Sequence, residues 1–203
     1  MKTIVYMVRH AESSYTEGTE RTRGLTLEGK LNAAKITEIL KGEGIHFVIS
    51  SPHARAVLTL EGLAAELELD IQIMEDLRER HFSDDMIADE EFEPAAKRMF
   101  EDPDYTLPGG ESNTVCQNRA VVVFKQILEE YKGKKVAIGT HGHVMTLMMN
   151  YFDSSYGLDF MNQTKKPDIY RLQFEEMELE QVTRLWGENR VIGGSIEKEC
   201  DVV

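Results

Sequence analysis

Apolar residues in this chain fall into short runs that stop abruptly on polar ones. Val5-Tyr6-Met7-Val8 ends on Arg9-His10-Ala11-Glu12. Phe47-Val48-Ile49 ends on Ser50-Ser51-Pro52 with Arg55 close behind, and Val136-Ala137-Ile138-Gly139-Thr140 ends on His141. Unbroken apolar runs of this length read as strands covered on both faces, as in a parallel sheet. Between them apolar residues recur at helical spacing. Ala33, Ile36 and Leu40 follow Leu25-Thr26-Leu27-Glu28-Gly29 and end near Gly42 and Gly44; Ala54, Val57, Leu58 and Leu63 mark a second helix. Ala120, Val123, Phe124, Ile127 and Tyr131 mark a third, opened by the turn Pro108-Gly109-Gly110-Glu111-Ser112. Val144 to Tyr151 predicts a further helix, and Asp70 to Met74 a weaker third strand. Ile169 to Phe174 with Leu179 to Leu185 predicts an antiparallel edge hairpin, and the tail after Gly193-Gly194 reads as irregular. The alternation predicts an α/β fold: three layers, α/β/α, around a mostly parallel sheet with an antiparallel edge.

One stretch breaks the rhythm. From about residue 81 to 108, acidic residues (Asp84, Asp85, Asp89, Glu90, Glu91, Glu93, Glu101) are interspersed with Phe82, Met86, Phe92, Met99 and Phe100. A partly helical cap or insertion over a site and a solvated peripheral helix both fit this pattern. No internal repeat interrupts the rest, and 203 residues are most economically one domain spanning 1–203, enough to bury roughly 70% of the surface its unfolded form exposes.

Composition narrows the class. Hydrophobic residues make up 41% and charged residues 29%, a balance that points to neither disorder nor a membrane protein, and the apolar runs are too short to span a bilayer. The start of the chain reads as a first strand, because its apolar segment stops at Val8 and lacks a small-residue cleavage site; a cytoplasmic location is the resulting expectation. Cys116 and Cys200 are too few and unpatterned for a disulfide framework or a zinc site and are taken as free thiols. The net charge of -13 argues against nucleic acid as a partner. A small phosphate ester stays compatible, because screening over about 8 Å lets a local arginine cluster dominate a cleft. The sequence leaves the oligomeric state open.

The three strand ends carry the candidate chemistry. In a parallel sheet the loops at the carboxyl ends lie on one edge, where open α/β folds place ligands, so Arg9, His10, Arg55 and His141 are expected to converge. Two guanidinium forks and an imidazolium suit a tetrahedral dianion, each N–H reaching a different oxygen, and the remaining neutral imidazole can be a nucleophile. His141-Gly142-His143 is a weak metal fragment, since no second ligand set stands at metal-site spacing; no metal and no cofactor are expected. His46, His53 and His81 are read as structural or exposed.

Five blocks together, Arg9-His10-Ala11-Glu12, Ser50-Ser51-Pro52-His53-Ala54-Arg55-Ala56, Leu77-Arg78-Glu79, Pro108-Gly109-Gly110-Glu111-Ser112 and Thr140-His141-Gly142, resemble the phosphoglycerate mutase-like branch of the histidine phosphatase superfamily, in order over roughly residues 2–152. The resemblance implies a phosphoglycerate mutase-like fold and a phosphomonoester hydrolase working through a phosphohistidine on His10. Arg9, Arg55 and His141 would then hold the nonbridging oxygens, Glu79 would carry protons in both half-reactions, and no metal is required. Departures from the family pattern fall at Ala11, usually Gly, at Thr16, where an Asn often completes the phosphate pocket and a hydroxyl is expected to substitute, and at residues 80–85, which replace the usual residues after the acid. Arg21 and Arg23 are candidates for a substrate's remote anion. They keep mutase-type phosphoryl transfer open as an alternative, with a phosphate-binding regulatory module that has lost turnover as a third reading. The natural substrate lies beyond the sequence.

Overall fold

A computed structural model describes residues 1–85 and 89–187; Met86, Cys200 and the tail after Gly193 lie outside the described residues. The strands are β1 (Lys2–Arg9), β2 (Phe47–Ser50), β3 (Ile71–Ile73), β4 (Lys135–Thr140), β5 (Asp168–Glu175) and β6 (Glu178–Arg184). They form one sheet in the order β3-β2-β4-β1-β5-β6. The first four run parallel, and β5 and β6 add the antiparallel edge. The sequence-derived architecture is therefore observed, including its hairpin.

Alternate residues of the buried strands face opposite layers. Ile4, Tyr6 and Val8 of β1 pack with Ile36 and Leu40 of α1 (Leu27–Leu40) and Leu60 and Leu63 of α2 (Ala54–Glu66). Val5 and Met7 face the other way, onto Phe124 and Ile127 of α4 (Asn113–Glu130) and Val144 and Met148 of α5 (Gly142–Phe152). Burial of each such side chain contributes about 1.5–3 kcal/mol, which explains why both faces of β1 are apolar. Two side-chain caps start the long helices: the Thr26 hydroxyl accepts from Gly29 N–H at 3.0 Å, and that of Ser112 from Val115 N–H at 3.2 Å.

Two details depart from the sequence pattern, and a helix in the acidic stretch fits it. The inward face of α2 is Arg55, Ala56, Thr59, Leu60, Leu63 and Ala64, whereas Val57 and Leu58 are half-buried. The turn through Pro52 and His53 sets the helix phase so that Arg55, not its apolar neighbours, points under the sheet edge. A short helix α6 (Leu158–Gln163) was not expected; its six residues carry no buried position and so no periodic signal. The acidic stretch contains α3 (Asp89–Glu101), which buries Ala96 and Met99 and packs against α6. Among the described residues no helix is long and apolar enough to cross a membrane.

Register places the strand ends level. Arg9 pairs with Thr140 and Ser50 with Gly139. The next residues continue the lattice, His10 N–H donating to Thr140 at 2.9 Å and Ser51 N–H to Gly139 at 2.9 Å. His10, Ser51 and His141 thus emerge side by side at one sheet edge.

Candidate active site

His10 and His141 lie with ring centroids 5.2 Å apart, both buried. The His10 Nδ1–H donates to the Ala11 carbonyl at 2.7 Å, which leaves the lone pair on Nε2. Burial, then the charges of Arg55, Arg9 and Lys166, push this imidazole well below its ordinary 6.5, so it is neutral near pH 7. His141 is likewise held neutral, by burial first and then by His10 and Arg55. Burial thus works against the imidazolium that the sequence reading assigned to the site. The His141 Nε2 lies 2.6 Å from the Ser51 hydroxyl, which itself accepts from His53 N–H at 3.2 Å. The other ring nitrogen, Nδ1, is buried with no hydrogen-bond partner among the described residues.

The two arginines are set from different elements. Arg9, ending β1, donates from Nη1 to the Thr164 carbonyl at 2.7 Å and to the Thr164 hydroxyl. Its guanidinium lies against Gly142, where a Cβ would come within 2.7 Å of Cζ, so any side chain at the first residue of α5 would displace Arg9. Arg55, 1% exposed, donates from Nη1 to the Glu20 carbonyl at 2.5 Å and from Nη2 to the Glu20 carboxylate at 2.6 Å. Thr59 locks this helix to the His10 loop, donating to the Arg55 carbonyl at 2.6 Å and accepting from Ala11 N–H at 3.0 Å. A short 3-10 turn, Glu75–Leu77, leads into Glu79.

Glu79 caps the start of α5. Its carboxylate accepts from the backbone N–H groups of Arg80 at 2.9 Å, Val144 at 3.1 Å and His143 at 3.3 Å. Its segment is clamped by Arg119, which donates to the carbonyls of Asp76 at 2.6 Å and Arg78 at 3.0 Å. Glu111 holds that guanidinium at 2.6 and 2.7 Å. The Pro-Gly-Gly-Glu-Ser block therefore positions the acid, a role the sequence did not reveal because Glu111 and Arg119 meet Glu79 only in three dimensions.

A cavity of about 800 Å³ collects Arg9, His10, Arg55 and Glu79, with Arg21 and Arg23 at its border. Phe82, Ser83 and Phe92 close one side, so the acidic stretch does lie against the site. Thr16 is not part of the lining; its hydroxyl pairs with that of Ser14 at 3.0 Å in the exposed loop. Arg21 is held by Glu75 through two bonds of 2.8 and 2.7 Å, and Arg23 by Glu20 at 3.1 Å and the Ser13 hydroxyl. Both guanidinium groups are thus engaged internally. His53, read as structural or exposed, is buried and lines the cavity, 4.9 Å from the His141 ring, its pKa lowered to about 4 by burial and Arg55. Arg80 and Lys166 also line the cavity, and neither has a carboxylate within 4 Å among the described residues. His143 also lines the cavity, largely buried, 2.7 Å from Asn113 Oδ1 and stacked on Phe100, its pKa lowered to about 3 by burial.

Comparison with known proteins matches residues 5–185 to the histidine phosphatase superfamily (branch 1). The chain is 30% identical over 154 residues to phosphoglycerate mutase-like protein 4 of Arabidopsis thaliana, covering 70% of this chain and 67% of that one. It is 28% identical over 145 residues to the uncharacterized phosphatase PhoE of Bacillus subtilis (strain 168), covering 69% and 72%. In fold it is similar to a mycobacterial glucosyl-3-phosphoglycerate phosphatase, with a TM-score of 0.73, 16% identity and coverage of 91% and 98%. A phosphoglycerate mutase of Bacillus anthracis str. Sterne gives a TM-score of 0.69 at 18% identity, covering 91% and 92%.

Proposed function

The chain belongs to the histidine phosphatase superfamily, and from that premise we propose that it hydrolyses small phosphomonoesters through a phosphohistidine on His10, with Glu79 as proton donor and acceptor. The supporting observation is the His10 hydrogen bond to Ala11, which frees Nε2 in a cavity that also holds Arg9, Arg55 and Glu79. The Nε2 lone pair attacks phosphorus, the ester P–O bond breaks, and the leaving oxygen takes the Glu79 proton. Water then attacks the phosphohistidine, its proton passes to Glu79, and the P–N electrons return to Nε2. Arg9 and Arg55 supply positive charge and His141 Nδ1 a neutral donor to the nonbridging oxygens, which carry most of the charge in a loose transition state. These groups do the neutralisation, so the scheme needs no metal.

Acid-quenched labelling with a radioactive phosphomonoester tests the covalent step. The native chain is expected to retain label and release inorganic phosphate, and His10→Ala to do neither; label on the variant refutes the assignment. Mutase-type transfer remains a second reading, favoured by Arg80 and Lys166, two cations of the cavity lining without an ion pair among the described residues, which could face an acidic leaving group. Incubation with 3-phosphoglycerate separates the two: isomerisation without phosphate release overturns hydrolysis.

A further inference from the structure

Among the described residues the Glu20 carboxylate is hydrogen-bonded only by guanidinium groups. Oε1 accepts from Arg55 Nη2 at 2.6 Å and Arg23 Nη2 at 3.3 Å, and Oε2 from Arg23 Nε at 3.1 Å. A planar, two-oxygen anion in this position makes the contacts a phosphoryl group requires of Arg55. The main chain around it is fixed: Arg55 Nη1 holds the Glu20 carbonyl, Arg23 N–H donates to Thr19 at 2.9 Å, and Ala54 N–H to Arg21 at 2.9 Å. The side chain is 59% exposed and has solvent to swing into.

We propose that the Glu20 carboxylate is an internal competitor for the phosphoryl pocket, seated on Arg55 and displaced by every anion that binds there. This rests on Arg55 belonging to that pocket. The groups facing the carboxylate are Arg23 on its own loop, Arg55 on α2 and His53 in the turn before it. The arginine bonds hold Glu20 below the usual carboxylate range against the opposing effect of burial, so the competitor stays charged at neutral pH. Displacement needs only a rotamer change. It costs the same whichever anion enters, so it lowers all affinities by one common factor and leaves their ranking alone.

The test measures binding of inorganic phosphate and of vanadate to the full chain by calorimetry. Glu20→Gln, which exchanges a charged for a neutral acceptor, is expected to tighten both by roughly tenfold and by the same factor. KM for an aryl phosphate falls with them while kcat changes little, because His10 and Glu79 are untouched. Glu20→Ala gives a second readout: acetate becomes a competitive inhibitor by taking the seat on Arg55, while the native chain resists it. Equal or weaker phosphate binding in Glu20→Gln, with no acetate effect in Glu20→Ala, overturns the proposal and makes Glu20 a residue that orients Arg55. Arg55→Ala separates this from the underlying reading. If that variant binds phosphate as well as the native chain, the pocket itself is misassigned and the competitor falls with it.

Discussion

On the floor of the cavity the reactive groups are buried and grow from strand ends or from a helix beneath them, as with His10 and Arg55, and the fully buried His141 ring lies 5.2 Å from that of His10. On the rim, in the loop around residues 13–25 and the turn at Glu75, the same residue types are tied to acids: Arg21 to Glu75, Arg23 to Glu20, Arg78 to Asp76 at 2.7 Å. The floor is fixed by backbone register and core packing, and its two arginines are seated there on Thr164 and Glu20. The rim is fixed by side-chain pairs that water and salt can replace. Chemistry is expected to depend on the first and selectivity on the second.

The sharpest way to break this division is at Glu79, where floor and acidic stretch meet. Glu79→Gln keeps an oxygen that can accept from Arg80 and Val144 N–H but cannot carry a proton to the leaving group. On an alkyl phosphate kcat is expected to fall by about 10²- to 10³-fold, and on an aryl phosphate with an acidic phenol by far less. Equal losses on both esters assign Glu79 a purely structural part and return proton transfer to another group.

A smaller loss, about 100-fold in kcat/KM, is expected from Gly142→Ala. The new methyl would sit 2.7 Å from Arg9 Cζ and 2.8 Å from Nη2, so the guanidinium has to shift by a substantial fraction of an ångström. Activity within threefold of the native chain would show that the floor tolerates movement and is not the rigid half of the comparison.

The floor also predicts how stability depends on pH. His10, His53, His141 and His143 are all held neutral below their ordinary 6.5 in the folded chain. Below pH 6.5 the unfolded chain binds more protons at these positions, so stability falls as pH falls, by up to about 1.4 kcal/mol per pH unit for each. The contribution of His53 levels off near pH 4 and that of His143 near pH 3. His143→Gln is expected to reduce the loss between pH 7.5 and 5.5 by about 1 kcal/mol, read from urea unfolding midpoints. An unchanged pH slope would mean that this imidazole binds protons equally in the folded and unfolded chains.

The two regions were unequally legible in the sequence. Apolar runs ending on Arg9-His10, on the Ser50 block and on His141 carry strand position and reactive group in one local string, so the floor could be read directly. The rim could not. Arg21 and Arg23 look like free cations in the sequence, and only folding brings Glu75 to the first and turns Glu20 onto the second. The same limit hid the Glu111–Arg119 clamp on Glu79. It also hid the phase of α2, where a buried arginine and a threonine displace the expected apolar positions because they bond to the site. His53 was discounted for a related reason: nothing local distinguishes an imidazole in a turn from one facing a cavity.

The smallest effect is the one that most sharpens the contrast. Arg21 is exposed and already neutralised by Glu75, and Thr16 lies in the loop away from the cavity lining. Arg21→Ala and Thr16→Ala are each expected to change kcat/KM on a simple aryl phosphate by less than about threefold, and any effect of Arg21 to fade between 50 and 500 mM salt as screening shortens its reach. The informative comparison repeats the measurement on a phosphate ester that carries a second acidic group. If Arg21→Ala then raises KM tenfold or more at unchanged kcat, the Glu75 pair opens to bind substrate. The rim would belong to the binding machinery, and the distinction between a preset floor and a self-satisfied border would hold only for substrates with a single anion.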